Sequence, residues 1–252
     1  MTEQGPTEQA LGTDAGSRGT RRAPAGGWRR AVVREVGHPS AHGVRLRLEV
    51  PDRVDHWPGQ HYVIKLTAED GYTAQRSYSI ASDPGDPLLE FWVERIADGE
   101  VSGFLADGVE VGDELDIRGP IGGWFVWTAS EPMLGVAGGS GVVPIVSMLR
   151  HAVRVGRPDL VRLAVSSRTL VELPYAEEFA AAGALVVLSR ENAPNGRAAA
   201  RITRDELGAL VPPTGPCLVC GSTAFTGAAV RLLTESGVDV HRIRIESFGP
   251  SG

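Results

Sequence analysis

Arg76, Tyr78 and Ser79 stand at i, i+2 and i+3 in the stretch Arg76-Ser77-Tyr78-Ser79-Ile80. The stretch reads as a β-strand, in which alternate side chains share a face. Arg76 and Tyr78 are therefore expected to project together, with the strand's other face buried. A guanidinium beside a ring on one strand face suits a flat ligand that also carries a phosphate. The ring covers the flat part, and the guanidinium takes the phosphate through paired hydrogen bonds. A flavin nucleotide has that chemistry. The same residues also fit a tyrosine packed beside an arginine on an ordinary sheet, and the rest of the chain has to decide between the two.

Other residues offer anion chemistry. Gly138-Gly139-Ser140-Gly141-Val142-Val143-Pro144 falls between an apolar strand and a helix. It lacks the G-x-G-x-x-G spacing, but it supplies glycines that permit backbone approach and a helix N-terminus facing an anion, so phosphate is expected there rather than a plain tight turn. Ser166-Ser167-Arg168 follows the next strand, and hydroxyls with a guanidinium and no acid suit a ribose 2′-phosphate. Arg190, Arg197 and Arg201 could add charge there. Gly99-Glu100-Val101-Ser102 precedes a short helix whose first turn could hold a pyrophosphate, or in which Ser102 is simply the N-cap.

Metal chemistry is not expected. Cys217-Leu218-Val219-Cys220 has the spacing of half a zinc site, with no second pair to complete it. Cys217 is expected to be a buried small residue. Cys220, followed by Gly221-Ser222, falls at a strand's carboxyl end, where a ligand would sit. His38 and His42 are expected on a loop containing Pro39 and show no ligand spacing.

The elements that must position these residues change character part-way along the chain. Residues 1–27 have no hydrophobic period and are expected to be a disordered tail; Arg21-Arg22 is not followed by the apolar run of an export signal. Across 28–128 six period-2 segments separated by local turns predict a small antiparallel β-barrel, interrupted by a short helix at 102–106. Gly119-Pro120-Ile121-Gly122-Gly123-Trp124-Phe125 is expected to close it. Across 129–252 strands at 133–137, 160–165, 185–188, 217–220 and 242–245 alternate with helices at 142–155, 174–182, 203–210 and 224–235. That grammar predicts a parallel-sheet α/β domain with helices on both faces and ligands at the carboxyl ends of its strands.

Composition agrees with a chain of two such domains. It has 252 residues, an apolar fraction of 42% and a net charge of −6, which argues against a general nucleic-acid binder. No apolar run approaches bilayer length, and a cytoplasmic location is expected. Two cysteines are too few for a thiolate-bound iron–sulfur cluster.

With the halves assembled, the sequence from about residue 28 onward resembles the ferredoxin–NADP reductase superfamily. The resemblance rests on Arg76-Ser77-Tyr78-Ser79, then Gly138-Gly139-Ser140-Gly141 with Pro144, then Cys220-Gly221 with Phe225, and the terminal Glu246-Ser247-Phe248-Gly249-Pro250, in that order. It implies FAD, with FMN as the alternative, on the barrel and NADPH or NADH on the α/β half. By resemblance Arg76 would bind flavin phosphate, Tyr78 would line the ring and ribityl chain, and Ser79 would lie near N5. Val93, Arg95, Gly99, Val101 and Ser102 would hold the rest of the flavin nucleotide. Gly138, Gly139, Ser140 and Gly141 would hold the nicotinamide pyrophosphate, with Ser167 and Arg168 at the adenine ribose. Cys220 and Gly221 would approach the nicotinamide, Phe248 would cover the flavin, and Glu246 would assist proton transfer. Ser247 stands where some relatives have arginine. The implied activity is a flavoprotein oxidoreductase that takes hydride from NAD(P)H and passes electrons to a separate acceptor protein. The alternatives are a reductase of free flavin or small oxidants, and a non-catalytic flavin-binding regulatory subunit.

Overall fold

The computed structural model describes residues 27–248, so the tail expected over 1–27 lies outside the described residues except for Gly27, as do Gly249 and Pro250. The chain forms two sheets. Six strands come first: β1 (Trp28–Ser40), β2 (Gly43–Glu49), β3 (His61–Thr67), β4 (Thr73–Ser79), β5 (Leu89–Glu94) and β6 (Glu114–Ile121), with helix α1 (Glu100–Asp107) before the last. They form one antiparallel sheet in the order β4-β3-β6-β1-β2-β5. Alternation builds its core: Val44, Leu46 and Leu48 on β2, with Tyr62 and Ile64 on β3, face inward with Phe91, Leu105 and Ile117. The edges β4 and β5 meet at one bridge, Ile80 to Phe91, rather than along a ladder. The expected barrel is thus rolled up but not closed, and β4 keeps an exposed outer side.

The second sheet is wholly parallel, in the order β11-β10-β7-β8-β9: β7 (Met133–Gly138), β8 (Val161–Ser167), β9 (Leu185–Leu188), β10 (Cys217–Ser222) and β11 (Ile243–Phe248). Helices α2 (Val142–Arg154) and α3 (Ala176–Ala181) cover one face; α4 (Arg204–Leu210) and α5 (Thr223–Glu235) cover the other. The chain starts in the middle at β7, winds out to β9, and returns to β10 beside β7. The direction of winding therefore switches between β7 and β10, where open α/β sheets receive ligands.

Helix α2 is buried on almost every side. Such a helix must lie between two packed layers, and here they are the parallel sheet and the barrel. Ala81, Trp92, Phe125 and Trp127 from the barrel half share one apolar cluster with Ile145, Met148 and Leu149 of α2.

Candidate functional site

The Arg76 strand is an edge strand, and its burial differs from the expectation. Arg76 pairs with Ile64 and Tyr78 with Tyr62, so the two do share a face. That face turns toward the barrel core, on which Tyr78 packs, while Gln75 and Ser77 on the opposite face are exposed. Arg76 itself is exposed; its guanidinium donates to the Gln75 carbonyl at 2.8 Å and has no carboxylate partner among the described residues. Ser79 is buried and its Oγ has no hydrogen-bond partner. A buried hydroxyl left unpaired is costly, and it marks a place where a ligand group can complete the bond.

Around this strand α1 begins earlier than expected. Gly99 is its N-cap and Glu100 its first residue, so Ser102 lies inside the helix and does not cap it. The Ser102 hydroxyl instead donates to the Gly99 carbonyl at 3.3 Å and accepts from the Ile96 N–H at 3.4 Å. The N–H groups of the first turn have no helical acceptor and stay available. Glu100 at that turn is held by the Tyr72 hydroxyl at 3.0 Å. Val93 is fully buried in the barrel core, which leaves only its backbone for a ligand. Arg95 pairs with Asp107 at 2.8 Å on the surface. Val101 is buried beneath α1.

The second group of residues gathers at the switch between β7 and β10. Gly138 ends β7, and Gly139, Ser140 and Gly141 form a single turn into α2. A side chain at Gly141 would sit 2.5 Å from the Cys220 carbonyl oxygen, and one at Gly138 would sit 2.8 Å from the Phe225 ring. Both glycines are required by close packing of the two strand ends, whereas Gly139 faces open space and leaves the loop's backbone accessible. Gly221 also lies against Phe225, at 2.9 Å from its would-be Cβ.

Cys220 is fully buried, and its thiol points into the cluster that holds Ala81 and Val142. Burial pushes that thiol well above its ordinary pKa, with Glu246 adding to the effect. Cys217, on the opposite face, is also buried. Glu246 is the β11 partner of Cys220. Its Oε2 is buried without a partner, and desolvation raises its carboxyl to about 7. Phe248, two residues on and on the same face, is 36% exposed. Ser247 faces the other way and hydrogen-bonds Thr226 of α5 at 3.0 Å.

Ser167 ends β8 and the exposed Arg168 follows it; Arg190 lies two residues beyond the neighbouring strand β9, its N–H donating to the Arg168 carbonyl at 2.9 Å. Arg197 does not join them. Glu206 grips its guanidinium at 2.6 and 3.0 Å, and three backbone carbonyls take its remaining donors. It is a structural residue that supports α4. His38 lies on β1, not on a loop, and its ring bonds the Ala106 carbonyl at 3.1 Å. Among the described residues no cluster of His, Cys, Asp or Glu could hold a metal ion.

Residues 32–126 match the family Oxidoreductase FAD-binding domain. The fold is similar to the FAD/NAD-binding domain of nitric oxide dioxygenase from Vibrio cholerae, with a TM-score of 0.78 and 27% identity, covering 88% of this chain and 99% of that one. It is also similar to a ferredoxin NADP+ reductase from Neisseria gonorrhoeae with bound FAD and NADP, with a TM-score of 0.77 and 21% identity, covering 87% and 98%. The chain has the two-domain fold of ferredoxin–NADP reductase-like proteins. In sequence it is 29% identical, over 82% of its length, to the ferredoxin–NAD(P)+ reductase component of a Ralstonia naphthalene dioxygenase/salicylate hydroxylase system, of which it covers 65%. It is likewise 29% identical to the ferredoxin reductase component of 3-ketosteroid-9-alpha-monooxygenase from Mycobacterium tuberculosis, with 79% of this chain and 56% of that protein covered. The chain thus spans between 47% and 65% of the length of the first curated relatives it matches.

The residues present fit FAD, the ligand of the domain family matched over 32–126. The orphaned Ser79 hydroxyl, the exposed Arg76 guanidinium and the half-buried Tyr78 ring lie along the last four residues of β4, and Tyr72, just before that strand, bonds Glu100 in the first turn of α1. Among residues that reading from sequence missed, the most informative are on α2. Ser147, Arg150, His151 and Arg154, at i, i+3, i+4 and i+7, form a polar stripe on an otherwise apolar helix, and the stripe reaches residues that follow Ser79. Its spacing was the available signal.

Proposed function

We propose that this chain is an NAD(P)H-dependent flavoprotein oxidoreductase that takes hydride onto FAD and passes electrons to a separate acceptor protein, in the cytoplasm. One observation carries the reading: Ala81, two residues beyond the Ser79 hydroxyl, shares a buried cluster with Val142 at the start of α2 and Cys220 at the end of β10. The expected flavin strand and the nucleotide-binding switch of the parallel sheet therefore border one continuous buried cluster, which supports a shared site.

Bound FAD supplies the chemistry, accepting a hydride and releasing its electrons one at a time. The chain's own residues bind, orient and exclude water. Arg76 offers the guanidinium for phosphate, the first turn of α1 offers backbone N–H groups at Gly99 to Ser102, and Tyr78 flanks the ring system. Ser79 supplies a hydroxyl at N5. The loop 138–141 offers backbone to the dinucleotide pyrophosphate, and Ser167 with the exposed Arg168 and Arg190 favours a 2′-phosphate, hence NADPH over NADH. Cys220 and Gly221 shape the nicotinamide pocket through the strand end, since the thiol itself is buried. Glu246 carries a proton near neutrality beside that pocket, and Phe248 covers the flavin. The relatives named as reductase components of oxygenase systems support a protein acceptor of that kind.

Rapid mixing tests the division of roles. Ser79→Ala should keep its flavin yet slow reduction by NADPH by about ten-fold or more, the loss expected for one positioned donor. Unchanged reduction would remove Ser79 from the reaction. Turnover of free flavin but not of a one-electron acceptor would replace the protein partner by a small-molecule one.

A further inference from the structure

Each residue of the polar stripe of α2 reaches the barrel half. Ser147 Oγ donates to the Ser82 carbonyl at 2.8 Å, the same oxygen that receives His56 Nε2 at 3.1 Å from within the barrel half. His151 Nδ1 lies 3.3 Å from Asp83 Oδ1, and Arg154 pairs with the other oxygen of the same carboxylate. Arg150 is the most connected. One of its nitrogens donates to the Ala81 carbonyl and to Glu90 Oε1 on β5, both at 3.0 Å; its other two reach Glu178 on α3 at 2.8 and 2.6 Å. Tyr175, just before α3, lays its ring under this guanidinium at 4.9 Å and packs edge-on to Trp92 of β5. The Glu90 side chain is only 7% exposed and Arg150 23%, so the pair is largely withdrawn from water.

The groups that Arg150 holds lie at two ends of one device. Ala81 follows Ser79 by two residues along the chain. Arg150 follows Val142 by eight positions on a continuous helix, which places it about 12 Å along the rod that begins at the glycine loop. Neither the loop nor the Ser79 strand can shift without moving α2 against residues 81–90. We propose that Arg150 is a positioning residue for hydride transfer, fixing the glycine loop of the parallel sheet relative to the Ser79 strand of the barrel. The inference rests on the oxidoreductase reading given above. Arg150 touches neither the flavin nor the nucleotide residues; it acts through the Ala81 carbonyl and Glu90 on one side and Glu178 on the other. A guanidinium suits the task because its fork reaches these acceptors at fixed angles, whereas an ammonium reaches one at a time.

The test compares Arg150→Met, Arg150→Lys and Glu178→Gln with the parent in two ways. In protein without added nucleotide, spin labels at Glu69→Cys and Glu235→Cys, one exposed site in each half, report the distance between halves; both native thiols are buried and stay unlabelled. Stopped-flow reduction then gives the limiting rate per bound flavin separately from the nucleotide dissociation constant. The expected result is a broadened distance distribution in Arg150→Met with a limiting rate about ten- to a hundred-fold lower, the cost of roughly 1 Å of misplacement. The nucleotide dissociation constant should stay within about three-fold, because nucleotide contacts are not removed. Arg150→Lys should fall between parent and Arg150→Met in both measurements. A residue that only stabilised the fold would lower the melting temperature while leaving the distance narrow and the rate per flavin intact, and that outcome overturns the proposal. If Arg150→Met does not fold, Glu178→Gln decides by the same two criteria. Absence of flavin reduction in the parent would count against the oxidoreductase reading, while the spin-label distances would still report on the clasp.

Discussion

Glu246 shows how one buried atom links stability to pH. Its carboxyl is raised to about 7 by desolvation, with Oε2 left unpaired. A raised folded-state pKa means that the folded chain holds a proton the unfolded chain has already lost between about pH 4.5 and 7. The associated stability is complete below the unfolded value and is lost as pH rises through the folded one, by at most about 3 kcal/mol. Glu246→Gln should therefore melt higher than the parent at pH 8 and show no such advantage near pH 4.5, as read by thermal unfolding at both values. An equal shift at the two pH values would assign the effect to shape, not charge. The pairing of Arg76 with Tyr78 was readable from residue types alone. The unpaired state of Ser79 and Glu246 was not, since it depends on what neighbouring strands fail to offer.

At the scale of elements, alternation and helical spacing located nearly every strand and helix, because each buries one face of a regular repeat. The exceptions have local causes. β1 runs on to Ser40 through His38 and Pro39, with register irregularities between Val33 and Glu35 and between Gly37 and Ser40 that break the alternation a reader follows. Helix α1 starts at Glu100 because the Ser102 side chain turns back to Gly99 instead of capping. Helix α4 starts as a capping box predicts: Thr203 accepts from the Glu206 N–H at 3.3 Å, and Glu206 Oε2 accepts from the Thr203 N–H at 2.8 Å. The same Glu206 holds Arg197, which is why an arginine that looked free for phosphate is occupied. Thr203→Ala should cost about 1 kcal/mol in denaturant unfolding and leave flavin reduction unchanged. A change in reduction with no change in stability would mean that α4 contributes to the nucleotide site.

For the whole molecule, the order of motifs announced a barrel followed by a doubly wound sheet. What the order could not show is how the two meet. Glu90 and Arg150 are 60 positions apart and Arg150 and Glu178 are 28 apart, and no local pattern names such partners. Nor could it show that the barrel edges meet at one bridge, which leaves β4 open on the side where Arg76 stands. No helix among the described residues is long and apolar enough to cross a membrane. The central claim, that the open edge of the barrel and the switch point of the parallel sheet form one flavin and nicotinamide site, is tested most directly by anaerobic titration of the FAD-loaded protein with NADPH and NADH, followed at the flavin absorption band. The account predicts one bound FAD per chain, bleached by one equivalent of nicotinamide nucleotide, faster with NADPH. A chain that retains no FAD after reconstitution, or that keeps its flavin oxidised under excess NADPH and NADH, would contradict it.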